Sequence, residues 1–107
     1  MEIIKSHEDI SNLFSCGERR HTPYLTLISL PCEEHDHPGR VAFVAGKKLG
    51  GAVWRNGAKR RMREICRLAG GPRQGYDTVF VAKRRILDVP YRDVERAYAD
   101  LVRKRRG

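Results

Sequence analysis

Covalent cross-links are the first thing this chain lacks. Its three cysteines, Cys16, Cys32 and Cys66, cannot all pair within one chain, and no two stand in a Cys-x-x-Cys spacing. The opening MEIIKSHEDI has neither a basic start nor a long apolar run, so no signal peptide is expected. No apolar stretch approaches the roughly 20 residues that span a bilayer, so no membrane partner is expected. A reducing cytoplasm is the expected setting. Several catalytic patterns are also missing: a phosphate-cradling Walker loop, a nucleophile elbow, and paired carboxylates at a useful spacing. Asp77 and Asp88 flank a predicted strand and read as turn and cap groups rather than metal ligands. Cys32, His35 and His37, with His21 and Cys16 as further candidates, match no finger or ribbon spacing. Glu33, Glu34 and Asp36 share their loop, so an acidic hairpin tip is the better reading and no metal is expected there.

Acid is scarce where base is plentiful. Residues 1–39 hold three basic and seven acidic side chains, a balance of −4; residues 40–107 hold nineteen and six, a balance of +13. The net charge of +9 points to a nucleic acid or another acidic surface as partner. Its asymmetry places the positive field on one face rather than over the whole molecule. The chain of 107 residues fits one domain, 1–107, with one modest core.

The densest cation run is residues 47–67, KKLGGAVWRNGAKRRMREICR, with eight basic residues and one acid, Glu64. Drawn as a helix at about 100° per residue, its second half separates into two faces. Ala58, Met62, Ile65, Cys66 and Ala69 fall on one side; Arg55, Asn56, Lys59, Arg60, Arg63 and Arg67 fall on the other. With so little acid nearby, salt bridges within the helix do not explain the cationic stripe, whereas arginine forks suit phosphates. Asn56 fits either a cap or turn bond or a contact to sugar or base. Lys47 and Lys48, read as neighbours at a strand end, should point to different sides. Trp54, at the edge of the apolar face, is expected to pack.

The remaining elements follow from period and punctuation. Ser6 reads as the N-cap of a helix at about 7–16, with Asp9 completing an imperfect capping box and Gly17 as the stop. Residues 23–31 and 40–46 read as strands and 32–39 as a polar turn, suggesting an antiparallel hairpin with an eight-residue loop. A further strand fits near 19–22. The basic helix ends at Gly70 and Gly71, before Pro72. Residues 76–83 form a short apolar strand expected to be central, where Phe80 is core or cleft floor. Asp88-Val-Pro90 opens a last helix with proline in its first turn, and the tail RKRRG is expected to fray. The order is helix, strand, strand, helix, strand, helix, with one added strand, which makes an α+β fold: a small α/β sandwich.

These residues resemble the ribonuclease P protein component of bacteria. The run FVAGKKLGGAVWRNGAKRRMRE matches that family's signature at Lys47, Lys48, Gly50, Ala52, Val53, Arg55, Asn56, Lys59, Arg60, Arg63 and Glu64. The flanks agree: a helix-Phe-x-x-Gly entry, GYDTVFVA after the basic helix, and a closing Tyr-x-x-x-Glu helix. The resemblance implies a left-handed βαβ crossover, against the general right-handed rule. It implies an accessory subunit of an endoribonuclease whose RNA, with its Mg²⁺ ions, performs the hydrolysis that removes the 5′ leader of precursor tRNA. The protein itself is then expected neither to catalyse nor to bind a cofactor alone. Ribonuclease P RNA would be held by Lys47, Lys48, Arg55, Asn56, Lys59, Arg60, Arg63 and Arg67. The leader would lie in a cleft at Ile10, Phe14 and Ile28. Two of these cleft positions are often aromatic in the family but are Ile10 and Ile28 here, so leader contact is expected to lean on charge more than stacking. Gly57 replaces an arginine usual in the family, and Gly46 a serine. A general basic RNA-binding protein of ribosomal type is the alternative that needs only the cationic face.

Overall fold

The computed structural model describes residues 1–32 and 38–105. The chain runs β1 (Glu2–Ile3), α1 (His7–Cys16), β2 (Glu18–His21), β3 (Leu25–Pro31), β4 (Arg40–Val44), a 3₁₀ turn (Lys47–Leu49), α2 (Ala52–Leu68), β5 (Tyr76–Ala82), a second 3₁₀ turn (Arg84–Leu87) and α3 (Tyr91–Arg105). The strands form one sheet in the order β1-β4-β5-β3-β2. The helices cover both faces: α1 packs on one, and α2 with α3 on the other. The expected α+β architecture is present. It includes the parallel pairing of β4 with β5 across α2 that a βαβ unit requires.

The expected β3–β4 hairpin does not form. β5 lies between the two strands, antiparallel to β3 and parallel to β4. The physical reason is in β5 itself. Val79 is buried on one face, and Thr78, Phe80 and Ala82 on the other. A strand apolar on both sides is most stable when it is flanked by strands and covered on both faces. The hairpin of the fold is instead β2–β3. Its corner is organised by Thr22, whose hydroxyl accepts from the Tyr24 and Leu25 amides (3.1 and 3.0 Å) and donates to the Leu25 carbonyl (3.0 Å).

α1 begins and ends as its sequence suggests. The Ser6 hydroxyl accepts from the Asp9 amide at 3.3 Å, with Glu8 and Asp9 in the first turn. The Asp9 carboxylate does not complete the capping box; it faces Arg40 at 3.5 Å. At the other end Gly17 is extended, not left-handed (φ −70°). Glycine is needed there for contact: a Cβ would lie 2.4 Å from Ile28 Cγ2 and 2.5 Å from the Leu13 carbonyl oxygen. α2 does end left-handed. Gly70 and Gly71 have φ of 100° and 90°. Their amides return to the Arg67 and Cys66 carbonyls at 3.1 and 2.9 Å, a Schellman closure.

Smaller differences are local. Lys47 and Lys48 lie in a 3₁₀ turn rather than at a strand end. Pro90 precedes α3 instead of entering its first turn, and the helix takes in residues 103–105 of the tail expected to fray; residues 106–107 lie outside the described residues. β1 and the Arg84–Leu87 turn carry too little periodicity to be read from sequence.

Candidate nucleic-acid interface

The buried side of α2 anchors the interface. Ala58, Met62 and Cys66 are fully buried and Ile65 nearly so, against Leu25, Phe80, Ile86 and Val94. Ala69 leaves the predicted stripe; it is exposed as the cap residue. Burial lifts the Cys66 thiol to about 11. With the stripe fixed inward, the opposite arc must face solvent. Asn56, Arg60, Arg63 and Arg67 are exposed, and Arg55 and Lys59 half-buried. Lys47 and Lys48 are exposed on the turn that feeds the helix. No side chain caps the α2 N-terminus, so its free amides add to the positive potential there. Val53 stands 88% exposed among these groups, an apolar spot on a cationic surface.

The eight cations of residues 47–67 are not equivalent. Arg67 forms an ion pair with Glu64 at 2.5 Å, so one salt bridge does lie within the stripe; the carboxylate holds the guanidinium's pKa up. Arg61 turns away and donates to the Ile86 and Val89 carbonyls at 2.9 and 2.7 Å. Arg63 lies over the Phe43 ring at 5.6 Å, which leaves its charge available while fixing its stem. Among the described residues, none of Lys47, Lys48, Arg55, Lys59, Arg60 and Arg63 has a carboxylate within ion-pair distance. Gly57 lies on the α2 flank beside Leu87; a Cβ there would come 3.2 Å from Leu87 Cδ1.

The second candidate region is the sheet face under α1. Ile10 and Phe14 are half-buried on α1 and, like Val44 and Val81 of the sheet, pack against the buried cluster of Ile4, Leu13, Ile28, Ala42 and Val79. Ile28 is corrected. Its side chain is fully buried, with Gly17 packed directly on it, so it offers no contact surface. One row of this face is set by register: His21 pairs with Thr26, Thr26 with Val81, and Val81 with Val44, with Thr26 itself buried. His21 Nδ1 lies 3.0 Å from the Thr26 hydroxyl. Arg19 flanks Phe14, its guanidinium 5.7 Å from the ring centre and donating to the Phe14 carbonyl at 2.7 Å. Sequence reasoning missed Val44, Val81 and Arg19, and weighed His21 only as a metal ligand. Their alternation with core neighbours was the available signal.

The other end of this face is electrically closed. Asp77 is no turn group: Arg40 grips its two carboxylate oxygens at 2.9 and 2.6 Å. That bond holds the Arg40 guanidinium charged beyond its ordinary range. The Cys32 thiol is pushed up by burial and by donating to Asp77 at 3.3 Å. Among the described residues no three His, Cys, Asp or Glu side chains are placed to hold a metal. His35 and His37, from the metal set weighed above, lie outside the described residues. Nor is any described helix long and apolar enough to cross a membrane.

Comparison with known proteins agrees with this geometry. The family model Ribonuclease P matches residues 1–106. The ribonuclease P protein component of Natranaerobius thermophilus is 33% identical over 102 residues, covering 94% of this chain and 87% of that one. That of Dehalococcoides mccartyi is 35% identical over 101 residues, covering 94% and 82%. Two solved structures share the fold. The Staphylococcus aureus RNase P protein has a TM-score of 0.82 at 22% identity, covering 96% of this chain and 94% of that one. The Thermotoga maritima protein has a TM-score of 0.81 at 23% identity, covering 97% of both. With the signature of residues 47–64 lying on a solvent-facing cationic helix and the turn that feeds it, the chain belongs to the ribonuclease P protein family.

Proposed function

We propose that this protein is the RNA-binding subunit of a ribonuclease P, and that its α2 face docks on the catalytic RNA. The observation that carries the reading is the set of six cations, on α2 and the turn before it, that lack a carboxylate partner among the described residues. Their mutual repulsion in the free protein is relieved by RNA phosphate. Arg60 and Arg63 serve as phosphate ligands, and Lys47 and Lys48 extend the contact beyond the helix start. Asn56, uncharged and exposed on the same arc, is suited to a sugar or base edge.

The cleft of Ile10 and Phe14 is assigned to the 5′ leader of precursor tRNA. There Phe14 offers a ring for one base, and Arg19 adds a cation beside it. Gripping the leader favours precursor over mature product, because only the precursor makes that contact. Hydrolysis is assigned to the RNA. The carboxylate on this face of α2, Glu64, is engaged by Arg67, so the required Mg²⁺ would be held by RNA phosphates. Bound there, it would supply an activated water and stabilise the leaving oxygen. The protein's part is to neutralise crowded phosphate so that the two RNAs and their ions can meet.

The test is reconstitution with the cognate catalytic RNA at low Mg²⁺, comparing wild type with Arg60→Ala and Arg63→Ala. Wild type should raise precursor cleavage. Each variant should shift the required Mg²⁺ upward and lower the salt slope of RNA binding by about one. Absence of any gain from wild type would overturn the reading. Cleavage by the protein without RNA would overturn the assignment of catalysis to the RNA. Recovery of bulk ribosomal RNA rather than one structured RNA from cells would favour a ribosomal-type binding protein instead.

A further inference from the structure

Strands β4 and β5 run parallel and are paired from Arg40 with Asp77 to Val44 with Val81. Both therefore leave the sheet at the same end, and each then makes a basic 3₁₀ turn. β4 leads into Lys47–Leu49, and β5 leads through Lys83 into Arg84–Leu87. Neighbouring strands lie about 4.8 Å apart, so one stretch of polyanion can touch both turns. Lys47, Lys48, Arg84 and Arg85 are all exposed. Among the described residues none of the four has a carboxylate within ion-pair distance. The nearest acid in sequence, Asp88, follows the second turn as its cap.

The second turn is rigidly mounted on α2. Ile86 is fully buried in the core. Leu87 rests against Gly57, where the lack of a side chain lets the turn approach. One helical turn along, Arg61 ties the Ile86 and Val89 carbonyls to α2. Lys83 holds the near side, donating to the Thr22 carbonyl at 2.7 Å. Arg85 lies over the Tyr24 ring at 5.6 Å. A fixed turn presents its cations at little entropic cost. Its hydrophobic residues join the core on the α2 side of the sheet, whereas the leader cleft lies on the α1 side.

We propose that the Arg84–Leu87 turn is a second docking element for the catalytic RNA. Arg84 and Arg85 hold RNA phosphates beside Lys47, Lys48 and the start of α2, so the interface wraps from the helix onto the end of the sheet. This rests on the reading of the protein as the RNA-binding subunit. It adds residues outside the signature run, and it gives Gly57 a role as the seat of the turn.

The experiment titrates labelled catalytic RNA, without precursor, with wild type, Arg84→Ala and Arg84→Ala/Arg85→Ala at several salt concentrations, with thermal unfolding in parallel. The double variant should bind several-fold more weakly and lower the slope of log affinity on log salt by about one to two; Arg84→Ala should lower it by about one. Arg84 makes no side-chain hydrogen bond or ion pair among the described residues, so Arg84→Ala should melt with wild type and decides the matter even if the double variant melts early. Wild-type affinity and slope in Arg84→Ala would overturn the proposal. So would a loss seen only when a leader-bearing precursor is added. Failure of wild type itself to bind the catalytic RNA would overturn the underlying reading instead.

Discussion

Arg60 and Arg61 are neighbours with the same charge and opposite duties. Arg60 faces solvent without a carboxylate partner, while Arg61 is turned by about 100° onto two backbone carbonyls. Charge-assisted bonds of this kind contribute about 1.5–3 kcal/mol when partly buried. Arg61→Ala should therefore destabilise the fold by about 1–3 kcal/mol in denaturant unfolding, with Arg60→Ala close to wild type in the same measurement. Cys66 gives a residue-scale prediction of another kind. Its folded thiol titrates near 11 against 9.0 when free, because burial disfavours the thiolate. The folded state then favours the protonated form. That contribution is intact below pH 9 and declines as pH rises from 9 to 11, where only the unfolded chain releases the proton. The stability difference between wild type and Cys66→Ala should narrow across that window. In the native protein at neutral pH, thiol reagents should label exposed Cys16 and spare Cys66.

At the scale of elements, the contact between α1 and β3 decides whether a cleft exists. Gly17 allows the end of α1 to rest on Ile28, and that approach sets how closely the helix that carries Phe14 lies on the sheet. Gly17→Ala would press a methyl into Ile28 Cγ2 and the Leu13 carbonyl. The backbone oxygen cannot yield as a side-chain tip can, so the helix end must lift. A loss of about 1–3 kcal/mol is expected, together with weaker binding of precursor leader and unchanged binding of the catalytic RNA. Measuring the two RNAs separately checks that pattern. α1 was legible because Ser6, the Leu13 face and Gly17 are local signals. The role of Ile28 was not, because the resemblance marks a position without showing what packs on it.

At the scale of the whole molecule, the charge asymmetry and the topology reinforce each other. Parallel pairing of β4 and β5 brings two basic turns to one end of the sheet, beside the start of α2. At the other end, Arg40 is matched by two carboxylates, Asp77 and Asp9, so its charge is not left over there. The molecule is therefore cationic at one end by construction. The basic helix, its two faces, the central character of β5 and the closing α3 could all be read in the chain, because periodicity and capping are written over a few turns. The strand order, the Arg40–Asp77 grip, the diversion of Arg61, the sealing of Ile28 and the pairing of the two basic turns came only with the tertiary structure. Each depends on residues 15 or more positions apart or in different elements, and a one-dimensional pattern carries no term for which strand inserts between two others.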